Sequence, residues 1–444
     1  MKMTKDMTKG KLAPLIISFT IPLVLGNILQ LTYNAVDSII VGRFVSSLAL
    51  AAIGTSNPLM TLVILMLNGI CLGAGILVGL LYGAKDYRRL ERQVSTALIA
   101  GTIFSLVMSL FAFLFAKELL MILQVEDQLL IEATSYLRIV SLGLVFTFLY
   151  NFFASTLRAM GDSKSPLIFL GVSAILNIIG DLFFVIVLDF GIHGVALSTV
   201  ISEGLSALMC LVYIKKNVPV LNLGKRWFIF DHTMLSKTIS YGIVTALQQS
   251  TVQIGKLGIQ MIVNTMGVST TAAFNAVNRT DDFAIVPEQN IAHAMTAVMA
   301  QNKGAKEEQR VREAFRVGNR IELIYGLIVG LLFFILANPI MQLFTKDMKV
   351  IKLGEVYLHC IAFMYILPAI TNAIQGYFRG IGDLKITFFS SLINMTGRVI
   401  SALIFVFTLH IGMIGIPLSY LVGWICMLLF EVPFLFHMLN KHDW

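Results

Sequence analysis

Leu157–Asp162 reads LRAMGD, and Phe378–Asp383, 221 residues further on, reads FRGIGD. The same offset joins GAKD at Gly83–Asp86 to GAKE at Gly304–Glu307, and Tyr136-Leu137 to Tyr357-Leu358. It also joins Gly194, Leu197 and Ser198 to Gly415, Leu418 and Ser419, with no gap needed anywhere between. An offset close to half of a 444-residue chain means that the chain is written twice. Duplication of a strongly apolar sequence is the signature of a transporter built from two like halves.

The composition agrees. At 57% apolar and 13% charged, the chain is too apolar for a soluble domain, where charged residues run near a quarter. Twelve stretches are long and apolar enough to span a bilayer: Leu15–Val41, Ala51–Leu81, Val94–Ala116, Thr134–Ser155, Pro166–Leu188, Ile192–Ile214, Thr238–Thr265, Thr271–Ala300, Ala314–Ala337, Gly354–Tyr377, Lys385–His410 and Gly412–Leu435. Six fall in each repeat, and an even number of spans keeps both copies the same way up. The expected architecture is all-α, with an amino-terminal lobe at 1–217, a polar cytoplasmic linker at 218–235 and a carboxy-terminal lobe at 236–444.

Lysine and arginine set the orientation. With the amino terminus inside, inner loops and ends hold 24 of the 33, outer loops hold six, and Arg138, Lys256 and Arg398 are embedded. Both termini are therefore expected in the cytoplasm. The net charge of +8 lies in the inner loops, so anionic lipid is the expected partner and nucleic acid is not. No cleavable leader is expected before the first span. The four cysteines lie inside spans at no metal-like spacing and read as small apolar residues. No nucleotide-binding G-x-x-x-x-G-K-[ST] loop and no nucleophile–base constellation is present, so neither ATP-driven transport nor an enzyme is expected.

Pro22, LTYNAVDSIIVGR around Asp37, YGAKDYRRLER at Tyr82–Arg92, LRAMGDSKSP at Leu157–Pro166 and LNIIGD at Leu176–Asp181 together resemble the MATE (multidrug and toxic compound extrusion) transporters. The resemblance covers both repeats and is strongest to the prokaryotic branch with its coupling carboxylates in the amino-terminal lobe. It implies a two-lobed, twelve-helix exporter in the inner membrane, without a cofactor. An inward proton or sodium flux would drive out bulky, often cationic drug-like compounds.

Ionisable groups inside spans are functional candidates by default. Asp37, Asp181 with Asn177 one turn back, and Thr199 all fall roughly 6–11 Å below the outer boundary at 1.5 Å per residue. Tyr136 enters its span from the same side. The resemblance places Asp37, Tyr136, Asn177, Asp181 and Thr199 in the coupling pocket of the first lobe. Two carboxyls close together in a low dielectric cannot both ionise cheaply, so such a pair can load and release a proton. Asp37, Asn177, Asp181 and Thr199 also make an all-oxygen set adequate for sodium; no other metal site is expected. Structural pairing with a buried base is the competing account of the acids. Pro22 would free a backbone carbonyl and make a bending point, or a static kink.

In the second repeat the offset turns Asn177 into Arg398 and Asp181 into Ala402. Lys256, Glu288 and Arg398 are expected either to form an internal ion pair, Glu288 with one of the bases, or to line a substrate cavity. Glu203, one turn after Thr199, is open to the same two readings. A lipid-linked saccharide flippase of the same superfamily is the alternative function.

Overall fold

In the computed structural model, which describes residues 5–221 and 224–440, every regular element is a helix. The first repeat holds α1 (Leu12–Ile40), α2 (Ser47–Gly83), α3 (Tyr87–Leu114), the short α4 (Ala116–Ile122), α5 (Asp127–Ala159), α6 (Lys164–Leu182) and α7 (Gly191–Asn217). The second holds α8 (His232–Asn264), α9 (Val268–Gly304), α10 (Glu308–Phe344), α11 (Met348–Ala362), α12 (Ile366–Ile381), α13 (Leu384–Leu403) and α14 (Gly415–Asn440).

The duplication extends to irregularities of the backbone. Single π-helical turns at Phe183–Val187 and Ile404–Thr408 follow α6 and α13, 221 residues apart. Lys85 and Lys306 both take left-handed φ angles, of 55° and 62°, just beyond the glycines that close α2 and α9. Asp86 N–H then reaches back to Leu81 O at 3.1 Å, and Glu307 N–H to Asn302 O at 2.9 Å, which satisfies the last carbonyls. LRAMGD and FRGIGD end α5 and α12 in the same manner. Gly161 and Gly382 have φ of 89° and 81°, and the following aspartates donate to Leu157 O and Phe378 O at 2.9 Å. Glycine is required there because a side chain in that region is strained.

Among the described residues, nine helical segments are long and apolar enough to cross a membrane. The expected span Gly354–Tyr377 is broken rather than continuous: α11 and α12 meet at 52°. Pro368 accounts for the break, because it cannot donate to the carbonyl four residues back and its ring crowds that turn. α8 and α9, at 33 and 37 residues, are long enough to cross but more polar. They complete the twelve-helix fold.

The helices group into two compact units. The first comprises residues 5–6 and 21–246, the second residues 7–20 and 247–440. Each unit thus borrows the start of a helix from the other repeat, with the changeovers at Thr20/Ile21 in α1 and Ala246/Leu247 in α8. The segment 218–235, expected as the linker between lobes, falls within the first of these units. That segment lies against α3 in the first unit. Val218, Leu221 and Trp227 are buried, and Ser95 Oγ contacts the carbonyls of Trp227 and Ile229 at 2.7 and 2.6 Å. Asp231 caps α8 through the N–H groups of Thr233 and Met234 and meets Arg92 at 3.3 Å. The Met234 N–H, first among these contacts, holds the Asp231 carboxyl below its ordinary range. The α8 changeover also has a packing cause: Gly73 brings α2 so close to α8 that an added Cβ would lie 2.7 Å from Gly242 N.

Candidate functional site

The first unit brings the expected acids together. Asp37 lies near the end of α1, and Asp181 and Asn177 lie one turn apart on α6. Asp181 is fully buried and Asn177 nearly so. The carboxyls of Asp37 and Asp181 lie close enough to interact directly. Asn177 links them. With its amide nitrogen toward α1, it donates to Asp37 Oδ1 at 3.1 Å and Oδ2 at 3.2 Å, and its oxygen lies 3.2 Å from Ser198 Oγ. With the amide turned over, the nitrogen lies 3.4 Å from Asp181 Oδ1.

Ser198, which the sequence reading did not select, fixes this arrangement. Its hydroxyl donates to the main-chain oxygen of Asn177 at 2.8 Å. Gly180 makes the approach possible, since a Cβ there would sit 2.5 Å from Ser198 Oγ. Thr199, which was selected, bonds its own helix instead, donating to Val195 O at 3.0 Å. Two neighbours on α7 thus exchange parts, because a rotation of about 100° per residue turns one toward α6 and the other away. The signal for Ser198 was its identity with Ser419 in the second repeat.

Tyr136 lies within electrostatic reach of Asp37, Asp181 and Glu203. Tyr33, also missed although it stands one turn before Asp37, lies near Glu203 and Asp37. Glu203 accepts from Thr147 Oγ1 at 2.5 Å. None of the three carboxyls has an ion pair with a base among the described residues. Asp181 Oδ2 is buried with no hydrogen-bond partner at all. The set of Asp37, Asp181 and Asn177 oxygens fits a proton or a small cation, and Thr199 Oγ1, whose proton goes to Val195 O, keeps its lone pairs.

In the second unit the expected ion pair of Glu288 with Lys256 or Arg398 is not formed. Lys256 meets Asp282 at 3.4 Å, with both side chains more than half exposed. Glu288 lies six residues further along α9, about 9 Å, and is fully buried. Its Oε2 accepts from Asn372 at 3.3 Å, and Oε1 has no partner. Arg398 stacks on two rings, with its guanidinium carbon 4.1 Å from the Tyr420 centroid and 4.7 Å from that of Trp424. The aromatic faces of α14 lie beside Arg398, whereas Glu288 does not come within ion-pair range. Sequence reasoning also passed over Glu322 and Glu431, both fully buried. Gln375 donates to Glu431 at 2.6 Å, while neither oxygen of Glu322 has a partner. Charges inside α10 and α14 were the available signal.

Two like units of apolar helices, one with two acids brought together within helices long and apolar enough to span a bilayer, are the architecture of an integral membrane transporter. The profile of the MatE family matches residues 22–183 and 245–404, one block in each repeat. The chain belongs to this family of MATE transporters. It is 29% identical over 373 residues to "Probable multidrug resistance protein YoeA" of Bacillus subtilis, covering 82% of this chain and 80% of the relative. It is 22% identical over 409 residues to "Multidrug export protein MepA" of Staphylococcus aureus, covering 91% and 89%. Among solved structures, "Crystal structure of MATE in the bent conformation" superposes with a TM-score of 0.93 at 21% identity, over 99% of both chains.

Proposed function

We propose that the protein is a secondary active multidrug exporter that couples efflux of bulky, often cationic compounds to inward movement of H+ or Na+ at Asp37 and Asp181. The observation that carries this reading is the pair of neighbouring carboxyls, without an ion-pair base among the described residues and with the Asn177 amide beside both. An ionised Asp37 is best met by the Asn177 nitrogen. A protonated Asp37 can instead donate to the Asn177 oxygen, which leaves the nitrogen for Asp181. Loading the site therefore changes which helix the amide holds, α1 or only its own α6.

Pro22 gives α1 a place to respond. It leaves the Ser18 carbonyl without its helical partner, two residues past the point where α1 changes unit. Glu203, close to Tyr33 and Tyr136, is a further acidic group suited to a cationic substrate. Lys256, exposed beside Asp282, has no such part. Multidrug relatives support the substrate class, and lipids are the surrounding partner. The protein works in this reading as a monomer of the prokaryotic inner membrane with both termini in the cytoplasm.

The flippase alternative rests on Arg398, which is buried, whereas Lys256, the other base expected at the second-lobe cavity, is more than half exposed. The experiment that tests the proposal is efflux of a cationic dye from energised vesicles under separately imposed proton and sodium gradients. Asp37→Asn and Asp181→Asn should each abolish gradient-driven efflux while the proteins remain folded. Full activity in both variants would place coupling elsewhere.

A further inference from the structure

The offset of 221 residues maps the first unit's acid pocket onto a definite place in the second. Asn177 becomes Arg398, Asp181 becomes Ala402, Thr199 becomes Tyr420, Glu203 becomes Trp424, and Tyr136 keeps its identity as Tyr357. The structure makes this a physical cluster. Arg398 on α13 lies against Tyr420 and Trp424 on α14, and its charge reaches Tyr357 on α11. Where one copy gathers carboxyls for a cation, the other gathers a cation among rings.

We propose that Arg398 in this second-unit cluster is an anion-binding site that takes the carboxylate of an aromatic organic acid. The guanidinium is unanswered where it stands. Arg398 is 7% exposed, and its Nε is buried with no hydrogen-bond acceptor. Among the described residues neither terminal nitrogen has an acceptor, and no carboxylate forms an ion pair with it. Asp281, the acid within its electrostatic reach, is engaged by the Tyr365 hydroxyl. Two ring faces compensate a buried guanidinium only in part. They also leave its N–H edge free, and a planar fork of donors matches a carboxylate in bidentate fashion.

The place is built for this side chain. Gly423 stands between Tyr420 and Trp424 on α14, and a Cβ there would collide with Arg398 Cγ and the Asn394 carbonyl. The glycine lets the arginine stem lie across α14 so that its head reaches both rings. Aromatic walls beside a cationic fork select an acid with an attached ring over a small hydrated anion.

The test uses the purified full-length protein in nanodiscs at pH 8 and constant ionic strength, with tryptophan emission read during titration with benzoate. A saturable change that Trp424→Phe removes is expected, with no change for benzamide, the neutral isostere. Arg398→Gln should weaken benzoate at least tenfold. Arg398→Lys, which keeps the charge and loses the fork, should weaken it less and serves if the first variant does not fold. Absence of saturation in the wild type, an equal response to benzamide, or unchanged affinity in either Arg398 variant would overturn the site. Displacement of benzoate by equal concentrations of inorganic phosphate would overturn the aromatic preference. Export of a cationic dye, measured in the same preparations after reconstitution, should persist in Arg398→Gln; its loss in the wild type would instead count against the exporter reading and leave the benzoate result standing.

Discussion

Removing the Asn177 amide should damage coupling far more than removing either neighbouring hydroxyl, and in a definite order. Asn177→Ala deletes a side chain that can give two contacts to a carboxylate, at 3.1 and 3.2 Å. A hydrogen bond to a charged group contributes about 1.5–3 kcal/mol. At 1.4 kcal/mol per factor of ten, loss of one such bond lowers ion-driven efflux roughly 10- to 150-fold at a fixed gradient. Ser198→Ala removes a neutral bond of 2.8 Å to the Asn177 main chain. That is about 0.5–1.5 kcal/mol, a two- to twelvefold loss. Thr199→Val removes a hydroxyl that serves only its own helix and should cost less than about threefold. Ethidium efflux from cells lacking their own exporters, normalised to protein in the membrane, gives the ranking. A Thr199→Val variant as inactive as Asn177→Ala, beside a fully active Ser198→Ala, would refute the geometry.

Three further outcomes follow from the structure. Gly161→Ala should lower the melting temperature in detergent, since φ is 89° and the new methyl would press on the Lys5 carbonyl, whereas Gly54→Ala, with open space around it, should be neutral. Equal melting temperatures for the two would count against the left-handed turn. Lys256→Gln and Glu288→Gln should be additive in stability within about 0.5 kcal/mol, because the two groups do not meet; a larger interaction energy would restore the ion pair. Cysteines placed at Asp189 and Asp347 should label from outside the cell, and those at Asp86, Gly224 and Lys306 only after permeabilisation. External labelling at Lys306 would overturn the two-repeat map.

Most of the fold was legible because it is repeated. The gapless offset exposed the two copies, and it holds even for turns that no hydropathy pattern encodes, such as the left-handed Lys85 and Lys306. The break between α11 and α12 was written in Pro368 but hidden by an uninterrupted apolar run, since hydropathy does not record a missing donor. The contact boundaries of the units were not legible. They depend on glycine-mediated approaches such as Gly73 to Gly242, which are tertiary facts. At the site, Asp37, Asn177 and Asp181 stood out as polar groups in apolar surroundings. Depth along a helix is readable from sequence; the direction a side chain faces is less so, which is why Ser198, bonded to the Asn177 main chain, did not stand out. The ion pair assigned to Glu288 failed for a related reason. Opposite charges in neighbouring spans suggest a pair, but six residues of helix separate Glu288 from the acid that Lys256 meets.

The most direct measurement of the central claim is ion uptake by the protein itself. Purified wild-type protein and the double variant Asp37→Asn with Asp181→Asn would be reconstituted in vesicles. Proton movement would be followed with an internal pH dye, and sodium movement with a tracer, on addition of a cationic substrate. Substrate-dependent uptake of one ion by the wild type, absent from the double variant while substrate binding persists, is the expected result. Equal ion uptake by the two proteins would contradict the assignment of coupling to these carboxyls.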